Sequence, residues 1–264
     1  MDGTRDTGFP DGASVEALGS PLARRAEVHG SLPSTQERAR ELARAGAGHG
    51  TAVLARVQTG GRGRLGRYWA SPPGGLWMSL VLRPGLAPGA AHRITPAAAV
   101  AGAKALWELG VEARIKWPND LLVGGRKVCG ILAETVAAGG EGLCAVLGIG
   151  LNANLDPEQT GSAAATTLRR ELGRDVDLLQ LLGLLLGCLE VELGRVGGEF
   201  RAVLEDWRAL ECTLGRRVRV RRLGGVLEGT AVDLGPEGAL LVRTSSGTVE
   251  VFEGEVERLQ GEFL

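Results

Sequence analysis

Gly61-Arg62-Gly63-Arg64-Leu65-Gly66 is the stretch that decides the fold. It satisfies G-x-G-x-x-G and follows an alternating, β-rich run over Thr51–Gln58, so it invites a dinucleotide-binding reading. That reading fails twice. A regular helix must open directly after the glycines, but the next residues are Arg67-Tyr68-Trp69-Ala70-Ser71-Pro72-Pro73, and paired prolines forbid one. The ribose-binding acid expected about 20 residues further on is also missing, because no acid occurs between Glu41 and Glu108. No G-x-x-x-x-G-K-[ST] occurs either, which excludes a P-loop. What remains is a loop that closes over a ligand. Its glycines admit close backbone approach, its arginines supply forked donors for carboxylate or phosphate, and Trp69 offers a flat face.

The same acid-free stretch carries Arg44, Arg56, Arg62, Arg64, Arg67, Arg83, Arg93 and Lys104. A chain of net charge −1 that clears every acid from a quarter of its length is building a local anion pocket, since a merely solvated face would intersperse glutamates. The chain has 27 arginines and three lysines: Lys104, Lys116 and Lys127. GC-rich codon bias explains the surface arginines. It also makes each remaining lysine informative, because a compact ammonium is not replaced by a planar guanidinium where point-charge geometry matters. Two of the three flank Trp117-Pro118-Asn119-Asp120, with Lys127 across a hairpin marked by Gly124-Gly125. Turn chemistry accounts for Asn119-Asp120 but not for the lysines on either side. A third cluster, Gly148-Ile149-Gly150-Leu151-Asn152-Ala153-Asn154, suits a sheet edge beside a ligand and equally suits a bulge.

Length and composition set the frame. The 264 residues, 44% hydrophobic and 23% charged, allow one large domain and a small one, with ample material for a core. No apolar run reaches the ~18 residues of a membrane span. The acidic N-terminus lacks the apolar core of a signal peptide. Cys129, Cys144, Cys188 and Cys212 are far apart and read as buried, reduced thiols of a cytoplasmic protein, and His29, His49 and His92 lack metal-ligand spacing.

Residues 1–25, rich in Gly, Asp, Ser and Pro, read as a disordered leader. Ser34-Thr35-Gln36-Glu37 starts a helix. Leu76–Leu82, Ala113–Trp117, Leu121–Val123, Lys127–Val136 and Leu143–Leu151 read as strands, and Ile94–Leu109, Leu178–Val196 and Glu199–Leu210 as helices. From Cys212 the turns recur about every ten residues, as in a small antiparallel barrel. The expected division is therefore a catalytic part over 26–211 and a barrel over 212–264. Arg216, Arg217, Arg219, Arg221 and Arg222 form a dense basic strand in that barrel. It reads as a charge-protected edge strand, with an oligonucleotide-binding face or a carrier contact as the other uses.

Taken together these residues resemble the biotin–protein ligase family. Gln58–Trp69 is similar to its GRGRxGRxW loop, Lys116–Asp120 to its KWPND box with Lys127 at the family spacing, Gly148–Asn152 to its third block, and Ser34-Thr35 to its Ser-Thr entry motif. The likeness covers about residues 27–260, and the first two motifs together are highly specific. The resemblance implies an α+β fold: a mixed sheet flanked by helices, like class II aminoacyl-tRNA synthetases, followed by a small C-terminal SH3-like β-barrel. It implies activation of biotin with MgATP to biotinyl-5′-AMP, then transfer to a lysine of a biotin carboxyl carrier domain, by a cytoplasmic homodimer without DNA or membrane partners. Carried over by position, the biotin contacts are Ser34, Thr35, Gln36, Gln58, Arg62, Gly63, Arg64 and Lys127. The nucleotide side is Arg64, Arg67, Trp69, Lys116, Asn119, Asp120, Lys127 and Asn152. Lys127, Arg64 and Asp120 are the catalytic set, and Mg2+ arrives with ATP rather than on protein ligands. Two features depart from the family. Gln36 stands where the family often has Asn. Only about 25 residues precede the catalytic part, where the bifunctional members carry a helix-turn-helix, so no repressor function is expected. A lipoate or octanoyl ligase, sharing fold and chemistry, is the nearest competitor, but its Arg-Arg-x-Ser-Gly-Gly-Gly and His-Asp pattern is not found.

Overall fold

Leu76–Leu82 forms a strand in which every residue is buried. A run of Leu, Trp, Met and Val has no solvent face to offer, so it must lie inside a sheet covered on both sides. In the computed structural model, which describes residues 8–138 and 142–259, it is the third strand of a seven-stranded mixed sheet. The strands are β1 (Arg25–His29), β2 (Thr51–Ala55), β3 (Leu76–Leu82), β4 (Arg114–Lys116), β5 (Asp120–Val123), β6 (Arg126–Thr135) and β7 (Ala145–Leu151), in the spatial order β1-β2-β3-β7-β6-β5-β4. Only β1 and β2 run parallel; the other pairs are antiparallel.

Among the described residues six α-helices accompany the sheet: α1 (Gly12–Glu16), α2 (Thr35–Arg44), α3 (Ile94–Glu108), α4 (Leu168–Leu172), α5 (Leu178–Arg195) and α6 (Phe200–Leu210). Helix α3 is apolar on nearly every side and is buried from Ile94 to Leu106 save for Thr95 and Lys104, as expected of a helix sandwiched between layers. Its Ala and Gly surface lets it lie tight on the sheet: a Cβ added at Gly102 would come within 2.9 Å of Leu121 Cδ1. Lys104 pins α3 to both outer helices, through Glu192 and Asp206 at 2.7 Å each. On the opposite face α2 buries Ala39 and Ala43 against Val53, Val81 and Val146. That leaves the rest of this face, over β3, β7 and β6, to the functional site.

After α6 the chain forms a five-stranded antiparallel sheet of β8 (Arg217–Arg222), β9 (Gly225–Leu234), β10 (Leu240–Thr244), β11 (Gly247–Val251) and β12 (Glu255–Arg258), ordered β11-β10-β9-β8-β12. The basic strand is thus not an edge. β8 lies between β9 and β12, and Arg219 and Arg221 are ion-paired with Glu228 and Glu257 on those neighbours. Alternating Arg and Val resembles a protected edge, but one glutamate partner on each flanking strand, Glu228 on β9 and Glu257 on β12, satisfies the same pattern inside a sheet.

The expected leader also differs. Residues 1–7 lie outside the described residues, but 8–25 are ordered. Asp11 caps α1 by accepting from Ser14 N at 2.7 Å, and Val15, Leu22 and Ala23 are buried in the main core. A five-residue helix between turns is too short to leave a periodic signal. Cys188 and Cys212 are half-buried rather than buried, while Cys129 and Cys144 are buried and all four are free thiols. Burial pushes the Cys129 thiol up to about 12. Among the described residues no helix is long and apolar enough to cross a membrane.

Candidate active site

The uncovered face of the sheet is hollow because of three glycines. Gly148 and Gly150 alternate on β7, and Gly130 on β6 pairs with Gly150. Side chains there would fill the trough. A Cβ at Gly150 would lie 2.7 Å from Trp69 Nε1, and one at Gly148 would lie 2.4 Å from Gln36 Oε1. The glycines are therefore neither bulge nor edge: they form the floor on which Trp69 and Gln36 lie. The resulting cleft has a volume of about 550 Å3.

One end of the cleft is neutral and densely hydrogen-bonded. Ser34 caps α2 by accepting from Glu37 N at 3.4 Å, which puts Thr35 and Gln36 on the first turn, facing the sheet. Gln58 Oε1 accepts from Thr35 N at 2.8 Å and from Thr35 Oγ1 at 3.1 Å. Gln58 Nε2 donates to Ser71 Oγ at 2.8 Å. Gln36 donates through Nε2 to Glu134 Oε2 at 2.9 Å and accepts through Oε1 from Ser79 Oγ at 3.0 Å. Ser34, Thr35, Gln36 and Gln58 are all buried. This rigid set of matched donors and acceptors suits a small polar neutral group.

The other end is charged. Trp117-Pro118-Asn119 turns the chain from β4 into β5, and the Trp117–Pro118 peptide is cis. Asn119 is fixed by its Nδ2 donating to Ile131 O at 2.7 Å. Its Oδ1 accepts from Arg64 at 3.3 Å. Lys127 Nζ reaches Asp120 Oδ1 at 2.6 Å, an ion pair rather than an aligned hydrogen bond. The same ammonium stands 4.8 Å from the centroid of the Trp69 ring, within cation–π range. Asn152 is buried and donates through Nδ2 to Thr166 O at 3.1 Å. Lys116 also lines the cleft.

The three loop arginines part company. Arg64 points inward, onto Asn119 and Gly254 O (3.4 Å), and burial lowers its affinity for the proton against the pull of Asp120 and Glu253. Arg62 is 55% exposed and ion-paired with Glu37 at 3.2 Å, so its guanidinium does not join Arg64 although the residue lines the cleft mouth together with Gly63. Arg67 hydrogen-bonds Glu255 on β12, which holds that carboxyl below its usual range. The wider acid-free stretch does not converge here. Arg83 caps the end of α2 through Ala47 O and Ala43 O, Arg93 pairs with Glu237, and Lys104 bridges helices. The acids that pair with Arg93 and Lys104 come from outside the stretch, and the carbonyls that bind Arg83 carry no charge, so a local charge count sees neither.

Sequence reading missed two walls. Thr160–Ala165 crosses the end of β6, with Lys127 N donating to Ala164 O at 2.9 Å. Gly254, Glu255 and Val256 arrive from the second sheet, about 190 positions from the loop they close on. In sequence Glu255 looks like any solvated strand residue.

This architecture has known counterparts. Residues 29–152 match the biotin/lipoate A/B protein ligase family, and residues 213–259 match the biotin protein ligase C-terminal domain. The chain is similar to the bifunctional ligase/repressor BirA of Bacillus subtilis (34% identity over 252 residues, 93% of this chain and 76% of that one). It is likewise similar to the biotin–[acetyl-CoA-carboxylase] ligase of Paracoccus denitrificans (34% identity, 77% and 88%). Among solved structures it resembles the biotin protein ligase from Aquifex aeolicus in complex with biotin and ATP (TM-score 0.77, 30% identity, 89% and 99%). With these matches, a cleft pairing a neutral polar end with a cationic one on this sheet belongs to an ATP-dependent ligase. Within that class, the chain belongs to the biotin protein ligase family.

Proposed function

We propose that the chain joins biotin to a lysine of a biotin carboxyl carrier domain in two steps within this one cleft. The observation that carries the reading is that Arg64 and Lys127, 63 positions apart in sequence, line a single cleft whose far end is the neutral Thr35–Gln58–Gln36 network. In the first step a biotin carboxylate oxygen attacks the α-phosphorus of MgATP. The α–β P–O bond breaks, and pyrophosphate leaves with the magnesium. Two anions must meet for this to happen, so the site needs cations placed in advance. Lys127 is the point charge between carboxylate and α-phosphate, leaving Asp120 for the incoming anion. Arg64, already desolvated, holds the phosphate side. In the second step the carrier lysine, as the free amine, attacks the carbonyl carbon of biotinyl-5′-AMP. AMP leaves, an amide forms, and Asp120 receives the surplus proton.

Ser34, Thr35, Gln36 and Gln58 hold the ureido ring, with the backbone near Arg62 and Gly63. Trp69, Lys116, Asn119 and Asn152 line the nucleotide. Arg67 keeps the loop closed against Glu255, excluding water from the anhydride. The division into a catalytic part over 26–211 and an SH3-like barrel over 212–264, the kinship with class II synthetases, a cytoplasmic location and a homodimer belong to the same reading. The mixed and antiparallel strand orders support its architectural part.

The test is incubation of the chain with labelled biotin, MgATP and an isolated carrier domain. Label on the carrier lysine with release of pyrophosphate and AMP is expected, and Lys127→Ala abolishes it. Equal transfer of lipoate, or label transfer by Lys127→Ala at the wild-type rate, would overturn the reading.

A further inference from the structure

Where α6 ends and the chain crosses to the second sheet, one acid has no part in the chemistry above. Glu211 bridges Ile115 on β4 through its backbone, and the following Cys212 N donates to Ile115 O at 2.8 Å. Its side chain holds the adjoining Trp117. Oε1 accepts from Trp117 N at 3.2 Å and from Thr213 N at 2.8 Å, and Trp117 N is shared with Thr213 Oγ1 at 3.2 Å. Oε2 is shut off from solvent without a hydrogen-bond partner among the described residues. The indole N–H of Trp207 lies beside the carboxyl and favours its charge, yet it too completes no hydrogen bond. A desolvated, half-satisfied carboxyl works against stability, so packing alone does not explain an acid here.

What it holds is the base of the Asn119–Asp120 turn. Trp117 is tied to the C-terminal segment at both ends, by its backbone N to Glu211 and Thr213 and by its indole Nε1 to Gly238 O at 3.2 Å. We propose that Glu211 is a positioning residue for the nucleotide end of the site: its carboxyl fixes the Trp117 backbone at the crossing between the two sheets and thereby sets where Asn119 and Asp120 meet Arg64 and Lys127. The inference rests on the reading above that Asn119 lines the nucleotide.

The ionised carboxylate is the stronger acceptor for Trp117 N and Thr213 N. Burial pushes Glu211 up to about 7, so this anchor tightens as pH rises through neutrality. The titratable and charged groups facing it are Glu112 and Arg114 before and on β4 (paired with each other at 2.5 Å), Lys116 at the end of β4, and Cys212 and Arg216 on the crossing segment.

The experiment is biotin-dependent exchange of pyrophosphate into ATP with the full chain, measured from about pH 6 to about pH 8.5. Wild type, Glu211→Gln, Glu211→Ala and Asn119→Ala are compared, with biotin affinity measured by calorimetry and folding by thermal melts. Wild type is expected to show KM for ATP rising as pH falls below about 7. Glu211→Gln, which keeps an acceptor but cannot titrate, abolishes that rise. Glu211→Ala raises KM for ATP about tenfold at high pH, with biotin affinity unchanged. Should Glu211→Ala not fold, Glu211→Gln carries the test alone. If Asn119→Ala leaves KM for ATP unchanged, the nucleotide reading falls and the inference with it. If Asn119→Ala raises that KM while Glu211→Gln keeps the wild-type pH dependence, the inference alone is overturned.

Discussion

Lys127 and Asp120 form an ion pair inside the cleft, 2.6 Å apart, although their backbones are not opposite each other in the hairpin. Asp120 pairs with Gly130, and Lys127 pairs with Leu122. A register shift after Leu121 turns the Lys127 side chain back along the strand, over the face of Trp69. The bulge therefore does what a regular ladder does not: it aims one cation at the point where the neutral and charged ends of the cleft meet.

Removing that cation leaves the Asp120 carboxylate where an anion must enter. Lys127→Ala is expected to lower biotin-dependent pyrophosphate exchange by about 100-fold or more, the scale for losing one preorganised stabilising group. The fold survives, as circular dichroism will show. Lys127→Arg does not restore activity, because a planar fork does not occupy the place of a point charge. Near-normal exchange by either variant would remove Lys127 from its role.

Arg67 and Glu255 join the loop to the second sheet, and Arg67 is largely exposed. An exposed pair contributes about 0–1 kcal/mol to stability, so Glu255→Gln is expected to leave the melting temperature unchanged. Its effect is on retention. With the latch gone, the loop opens, biotinyl-5′-AMP escapes, and label appears on bystander proteins added at high concentration. Raising the salt should promote the same leak in wild type, since charges beyond ~8 Å are screened at physiological ionic strength and exposed pairs weaken further above it. A variant that labels only the carrier would show that the latch is not what closes the loop.

Much of this site was legible because its chemistry is clustered along the chain. Arg64, Trp69, Asn119, Asp120 and Lys127 sit in two short motifs, and β3 begins and ends at the residues its apolar run predicts. Legibility failed where a contact joins distant segments. Nothing local marks Glu255 as Arg67's partner, or Glu211 as the support of Trp117. The acid-free stretch over-reached for the same reason, assigning Arg83, Arg93 and Lys104 to an anion pocket when their partners lie elsewhere. Arg62 stood in the right motif but turned to Glu37. Short elements were lost as well: α1 and α4 have five residues each, fewer than two helical turns, and β1 alternates too little to stand out.

Gly148 tests the neutral end. An alanine there would place its Cβ 2.4 Å from Gln36 Oε1. The Gln36 amide is a side-chain tip and can swing away, so Gly148→Ala should fold. It can do so only by breaking its bonds to Glu134 and Ser79. Biotin affinity is therefore expected to fall about tenfold, or about 1.4 kcal/mol, by calorimetry. Gln36→Ala in the same chain should add little further loss, because both changes disrupt one network. Unchanged affinity in Gly148→Ala would place biotin elsewhere.

Glu211 also makes a prediction about stability, with a sign opposite to that of the other perturbed acids. Its carboxyl is raised by burial from about 4.5 in the unfolded chain to about 7. Between those values the folded state binds a proton that the unfolded state has lost. The contribution of this group is thus fully present below about pH 4.5 and disappears as pH climbs through about 7, a swing on the order of 3 kcal/mol. Glu27, Asp206, Asp233, Glu237 and Glu255 are held low by arginine, lysine or histidine partners, so their contributions are lost only in acid. Urea unfolding of wild type and Glu211→Gln from about pH 5 to about pH 8 separates the two. The wild-type curve should fall relative to the variant across that window, and parallel curves would mean that Glu211 titrates normally. A carboxyl that weakens the fold most in the ionised state, where its grip on Trp117 is strongest, is what a positioning role at this crossing requires: the site retains a charge that stability by itself would discard.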